Sequence, residues 1–169
     1  APVKELLDSK VNVCLGTDSP MSGSVNMFEE IFMAKKYFES AYETELDAKT
    51  ILKMLTSNPA RAFSMKNLGS IEADRLADFV IVNGDKSAPY EAINTMNYED
   101  IMLVVINGKP MYADENFIPL FDALGVTYQK IKVDSFKKVI NGDILGLLQR
   151  IRNAVGFHKE LEFLPVEAW

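Results

Sequence analysis

The chain has 169 residues, of which 48% are hydrophobic and 25% charged, a composition that indicates a folded domain and excludes a disordered segment. Its net charge of −6, without a basic stripe, excludes an ordinary nucleic-acid binder. The apolar run over residues 101–106 is far shorter than the roughly 20 residues of a membrane span. The single cysteine, Cys14, cannot form an intrachain disulfide, which favours a reducing, cytoplasmic location.

The chain opens with a helical pattern followed by a strand-like one. Residues 2–10 predict a short helix, because Pro2 suits a first turn and the apolar residues fall on one face. Residues 11–15 are apolar except for Asn12 and predict a strand buried on both faces. A helix followed closely by a buried strand is half of a βαβ unit, the repeating element of parallel-sheet proteins.

Three further helices are predicted before residue 65. Ser24 is expected to cap a long helix whose apolar stripe recurs at intervals of three and four over residues 27–38. Thr44 and Asn58 are expected to cap two shorter helices, and Pro59 suits the first turn of the second. This part of the chain is therefore rich in helices.

From Gly69 onward the pattern changes to strands and turns. Residues 69–71, 78–82 and 101–106 predict strands. The dipeptide Asn107-Gly108 predicts a two-residue hairpin turn of type I′.

The last part of the chain gives weaker signals. Residues 117–124 predict a short helix, and residues 126–133 alternate weakly and predict a strand. Residues 144–154 carry apolar residues at helical spacing and predict a helix. Residues 163–169 form an apolar tail that has to dock on the protein.

Asp18 is the candidate functional residue, because it directly follows the predicted strand and precedes a loop and a helix. Catalytic groups of α/β barrels lie at such strand ends. A carboxylate there can act as a general base or as a ligand of a hard metal ion. It can equally cap its own loop through hydrogen bonds to backbone amides, and the local sequence leaves both readings open.

The other chemically reactive residue types offer no second candidate. His158 is the only histidine and has no ligand-spaced neighbour, so we interpret it as an exposed or packing residue. Cys14 lies within the predicted strand and is interpreted as a small buried apolar residue. The basic clusters are interpreted as solvated faces; they are Lys35-Lys36, Lys130 with Lys132, and Lys137-Lys138.

Three separated blocks occur in an order and at a spacing that resemble a known family. They read VNVCLGTD at residues 11–18, ILKMLTSNPARAF at residues 51–63 and GSIEADRLADFVIV at residues 69–82. Together they resemble the amidohydrolase superfamily of metal-dependent hydrolases, in its cytosine-deaminase and chlorohydrolase-like branch. The resemblance covers about two thirds of the chain and does not cover the part after Tyr112.

The resemblance implies a role for Asp18. In this superfamily the aspartate after the eighth barrel strand binds a divalent metal, here expected to be zinc, and handles the proton of the attacking water. Such a metal lowers the pKa of bound water from 15.7 to about 7. The branch cleaves C–N or related bonds other than peptide bonds, in small-molecule substrates. Asp78, by the same comparison, is structural.

The chain departs from the family in two respects. The other metal ligands of the family are histidines on barrel strands one, five and six, which this sequence lacks, and a catalytic zinc needs about three protein ligands. Ala73-Asp74 stand where the family tends to have Pro-Gly, although aspartate tolerates the left-handed turn. Because the chain also begins with Ala1, we expect a C-terminal fragment of a hydrolase, inactive and metal-free by itself.

The expected fold class is α/β, or α+β for the isolated fragment. Residues 1–64 would supply the last strand and helices of a TIM-like barrel, residues 65–115 the C-terminal part of a small β-sandwich, and residues 116–169 a mainly helical extension. The expected partner is the missing N-terminal barrel portion. Self-association is also expected, because a barrel strand without neighbours offers unpaired backbone groups.

Two alternatives remain open. The chain could be a stand-alone, non-enzymatic α+β module that descends from such an enzyme and binds a partner through its apolar surfaces. It could also be a small-molecule binding domain that uses Asp18 as an anchor.

Overall fold

The computed structural model describes residues 2–19, 21–157 and 166–168. The chain divides into two compact units. The first holds the residues up to Leu76 together with Gly84–Tyr98, and the second holds Ala77–Asn83 together with the residues from Glu99 onward. No helix among the described residues is long and apolar enough to cross a membrane.

The first unit is built from four helices, as predicted. They are α1 (Val3–Asp8), α2 (Met27–Tyr42), α3 (Ala48–Leu55) and α4 (Ser57–Ala62), with a short 3-10 helix at Glu91–Asn94. The core of this unit has residues of α2, of α3 and the loop before it, and of the 3-10 helix as its buried members, with Val3 and Leu7 of α1 packed against them; these members are Ile31, Phe38, Leu46, Ala48, Ile51 and Ile93. The helical spacing over residues 27–38 therefore predicted the packed face of α2 correctly, at Ile31 and Phe38.

The predicted helix caps are wrong at three positions. Asn26, not Ser24, caps α2, because its side-chain oxygen accepts hydrogen bonds from the amides of Phe28 and Glu29. Asp47 caps α3 in place of Thr44, and α4 has no side-chain cap because Asn58 lies inside it. These residues belong to the same class of cap formers, so the sequence alone does not separate neighbouring candidates.

The strand predicted for residues 11–15 does not form. Residues 11–19 have no regular secondary structure, because the described part of the chain provides no strand beside them. A strand needs a neighbour for its backbone hydrogen bonds. Cys14, which we expected to be buried, is exposed, because no neighbouring strand covers this segment.

The second unit contains a six-stranded sheet in which all the neighbouring strands run antiparallel. The strands are β1 (Phe79–Val82), β2 (Ile101–Ile106), β3 (Lys109–Asp114), β4 (Tyr128–Val133), β5 (Phe136–Asn141) and β6 (Val166–Ala168), in the order β1-β2-β3-β5-β4-β6. Its core is centred on Phe121 and Val139, both fully buried. The described residues form this single sheet, and the assignment of residues 65–115 to part of a small β-sandwich stays a prediction.

The predictions for β1, β2 and the hairpin are confirmed. β2 has the predicted bounds, and Asn107 and Gly108 both have positive φ, 50° and 75°, as a type I′ turn requires. The strand predicted at residues 69–71 is wrong, because this segment lies in a loop.

Residues 116–169, expected to be mainly helical, contain both helices and strands. The helices α5 (Ile118–Ala123) and α6 (Ile144–Val155) and the strand β4 were predicted. The strand β5 was missed because Lys137-Lys138 resemble a solvated face. The apolar tail lies outside the described residues, except for the three residues of β6.

The prediction of a solvated face at Lys137-Lys138 is wrong for Lys138. Its side chain is 2% exposed, and its ammonium group donates to the Asp114 carboxylate at 2.5 Å and to the Ile101 carbonyl at 2.7 Å. Nζ also lies 5.6 Å from the centre of the Tyr112 ring and 5.7 Å from that of Phe136. The buried charge therefore links the beginning of β2, the end of β3 and the middle of β5.

Candidate functional site

The segment that leads to Asp18 is held by side-chain and backbone bonds to α3 and α4. The Leu15 amide donates to the Met54 carbonyl at 3.1 Å. The Asn12 amide group donates to the Asn58 carbonyl at 2.9 Å, and the Asn58 amide group donates to the Val13 carbonyl at 2.7 Å. These helix contacts replace the strand ladder that residues 11–15 lack, and they fix the start of the loop that carries Asp18.

The loop then turns sharply at Asp18, whose φ of 59° lies in the left-handed region. Aspartate tolerates this conformation better than most residues. The chain continues into a tight turn in which the Ser22 and Gly23 amides donate to the Ser19 carbonyl, at 3.1 and 2.7 Å. A side chain at Gly23 would place its Cβ 1.8 Å from the Thr17 carbonyl oxygen, so the turn requires glycine there.

The Asp18 carboxylate is exposed and only partly used within the loop. Its Oδ2 accepts a hydrogen bond from the Ser22 hydroxyl at 3.0 Å, and that hydroxyl lies 2.9 Å from the Ser19 hydroxyl. This partner is a hydroxyl and not a backbone amide, so the contact does not support the alternative in which Asp18 caps its loop through backbone amides. The geometry leaves Asp18 able to bind a cation or to accept a proton.

The described residues do not build a complete metal site around Asp18. No group of three or more His, Cys, Asp or Glu residues among them could hold a metal ion. His158 lies outside the described residues. The donor set of this part of the chain therefore does not fit a catalytic metal, which needs about three protein ligands.

Two positioning residues of this segment, Asn12 and Asn58, were not identified from the sequence. Asn12 was noted only as a polar interruption, and Asn58 was expected to cap a helix. The sequence offers only a weak signal for Asn12, a polar residue within an apolar run that needs a partner if it is buried, and none that pairs it with Asn58. The Asn12 side-chain oxygen is buried and has no partner among the described residues.

Comparison with known proteins gives matches that include this segment. A sequence model of the amidohydrolase family matches residues 1–111. The chain is 39% identical over 120 residues to a 5-methylthioadenosine/S-adenosylhomocysteine deaminase of Thermoanaerobacter pseudethanolicus, a match that covers 64% of this chain and 28% of the relative. A protein of the same name from Caldanaerobacter subterraneus subsp. tengcongensis is 32% identical over 155 residues, covering 85% of this chain and 35% of the relative.

A solved structure is similar as well. The crystal structure of a triazine hydrolase variant superposes with a TM-score of 0.56 at 25% identity, over 66% of this chain and 27% of that protein. The chain thus spans about a third or less of the length of each of these proteins. The Caldanaerobacter match extends beyond the residues that the family model covers, so part of the region after residue 111 is also similar to a relative.

Proposed function

This chain belongs to the amidohydrolase family, and we propose that it forms the C-terminal portion of a metal-dependent hydrolase that removes an amino group from a small molecule. The observation that carries the proposal is the position of Asp18. It lies inside the family match, at the end of a segment fixed by helix contacts, and presents an exposed carboxylate. Residues 1–64 would complete a barrel, and a cytoplasmic location remains a prediction.

The proposed substrates are adenosine derivatives that carry a sulfur substituent on the 5′ carbon. This class follows from the names of the two bacterial relatives, which are deaminases of 5-methylthioadenosine and S-adenosylhomocysteine. Deamination replaces an exocyclic amino group with oxygen from water and releases ammonia, so it is a hydrolysis of a C–N bond that is not a peptide bond.

In this reaction Asp18 would bind the metal and receive the proton of the attacking water. A zinc ion, where bound, supplies an activated water at neutral pH. The Ser22 hydroxyl, 3.0 Å from Asp18 Oδ2, would hold the carboxylate in one orientation. The remaining ligands and the groups that bind the substrate would come from the N-terminal barrel portion, because the described residues provide no further ligand cluster.

The isolated chain is expected to retain no zinc and to show no deaminase activity, since the described residues contain no group of three or more side chains that could hold a metal ion. Metal analysis after exhaustive dialysis checks this, with Asp18→Asn as the comparison. One zinc per chain in the wild type, lost in the variant, would show that this chain builds a complete site and would contradict the proposal.

A non-enzymatic interaction module is the second candidate. The observation that favours it is the exposure of large apolar side chains on α2, where Phe32 is 62% and Met33 51% exposed. In the first proposal the N-terminal barrel portion covers such residues, and in the second a separate partner or another copy of the chain does. Self-association of the isolated chain remains a prediction under both.

A further inference from the structure

A cleft of about 460 Å³ lies between α4 and the loop that follows it, within the first unit. Its volume is in the range of small-molecule sites, about 300–1,000 Å³. The cleft has no part in the proposed deamination, which depends on Asp18.

The lining of the cleft carries an excess of positive charge. Arg61, Lys66 and Arg75 line it, against the single carboxylate of Glu72. Arg75 Nε donates to Glu72 at 3.2 Å, whereas neither Arg61 nor Lys66 forms an ion pair with any of the residues that the structure describes. Two exposed cations therefore face the same cleft uncompensated, in a chain whose net charge is −6.

The walls of the cleft are held in place by backbone contacts. Arg75 Nη1 donates to the Lys66 and Leu68 carbonyls, at 2.8 and 3.2 Å, and thereby fixes the loop that carries Lys66. Gly69, with a φ of 87°, lets this loop approach α4 closely, because a Cβ there would lie 2.7 Å from the Ala60 Cβ. The backbone of the loop that carries Lys66 is therefore held close to α4, which carries Arg61, without a ligand.

Three hydroxyl groups complete the polar lining, from Ser57, Ser64 and Ser70. The Ser70 hydroxyl and the Arg75 guanidinium hold the pKa of the Glu72 carboxyl below its usual value, so this acid is ionised and paired. Its pairing with Arg75 leaves the charges of Arg61 and Lys66 for a ligand. Guanidinium, ammonium and hydroxyl groups are the donors that proteins use for phosphate.

We propose that this cleft binds the phosphate group of a small molecule, with Arg61 and Lys66 as its charged contacts and the hydroxyls of Ser57 and Ser64 as further donors. The ligand differs from the proposed substrates, because neither 5-methylthioadenosine nor S-adenosylhomocysteine carries a phosphate. The site is therefore separate in chemistry from the deaminase site, and either proposal can fail without the other.

Calorimetric titration of the chain with inorganic phosphate, at constant ionic strength, tests the proposal. The variant Arg61→Ala/Lys66→Ala is expected to lose at least tenfold in phosphate affinity. The matched control, Lys36→Ala/Lys53→Ala, removes two positive charges from exposed sites outside the cleft and should stay within twofold of the wild type. A glycerol phosphate titration shows whether an ester is accepted as well as the free ion.

Amide chemical shifts of Ser64 and Gly69 in the wild-type chain locate the binding without any substitution, and they should move on titration. The proposal is overturned if the wild type gives no saturable binding or if these shifts stay fixed. It is also overturned if both double variants lose affinity equally, because that result would mean a general response to charge.

Discussion

Replacing Asp18 by asparagine is expected to lower kcat/KM for deamination of 5-methylthioadenosine about 10²- to 10⁴-fold in the proposed complete enzyme, in which this chain forms the C-terminal portion. Asparagine keeps the size of the side chain and tolerates the positive φ of 59° at this position. It can also still accept the hydrogen bond from Ser22, but it cannot take up a proton and is a poorer metal ligand. The loss should therefore appear mainly in kcat.

The matched control is Asp74→Asn. Asp74 is also exposed and also has a positive φ, of 66°, so the same substitution is made in a similar backbone conformation away from the proposed site. Ammonia release, measured with saturating zinc, should be near the wild-type rate in this control. An Asp18→Asn enzyme with activity within threefold of the wild type would remove Asp18 from the catalytic machinery.

Replacing Lys138 by methionine is expected to lower the free energy of unfolding of the second unit by about 3 kcal/mol. Breaking a buried ion pair by removing one partner typically costs 3–5 kcal/mol. The lower end applies because Asp114, the partner left behind, is 32% exposed and can be partly solvated. The Ile101 carbonyl also loses its 2.7 Å hydrogen bond from the ammonium. Urea denaturation followed by fluorescence measures the change.

Two further variants separate the charge from the packing. Lys137→Met, at the exposed neighbouring position, should change stability by less than about 1 kcal/mol, because the interactions of an exposed lysine contribute little. Adding Asp114→Asn to Lys138→Met should recover part of the loss, because the unpaired carboxylate is then neutral. If Lys138→Met and Lys137→Met unfold at the same urea concentration, the buried ion pair contributes no stability.

The elements that were predicted correctly are determined by residues that lie next to one another in the sequence. β2 is a continuous apolar run, and Asn107-Gly108 adopts the two positive φ angles that select the hairpin. In α6 the apolar residues recur at helical spacing, and Gly156 ends the helix with a φ of 78°. Each of these elements needs little from the rest of the chain.

Two of the predictions that failed, for residues 11–15 and for Lys138, depend on distant residues. Residues 11–15 have a strand-like sequence, but a strand forms only beside another strand, and their backbone bonds go to α3 and α4 instead. Lys138 has the polar character of a surface residue and is buried because β2 and β3 place oxygen atoms around it. The position in the fold therefore decided the conformation of residues 11–15 and the burial of Lys138, and the local residue type did not.

The candidate site shows the same division: its local residue was predicted from the sequence, and its long-range contact was not. Asp18 stands out because of its place after an apolar segment and because of the family resemblance, and the family match includes it. Its role as metal ligand and proton carrier remains a proposal. The sequence could not reveal that Asn58 anchors the preceding segment, since that contact joins residues 45 positions apart.

The reading frame upstream of the Ala1 codon tests the central claim most directly, namely that Asp18 is one ligand of a site whose other ligands precede this chain. We predict an upstream sequence that continues the barrel and contains a His-x-His motif after a predicted strand. An in-frame start codon at or just before Ala1 would contradict the claim and leave the interaction module as the better account.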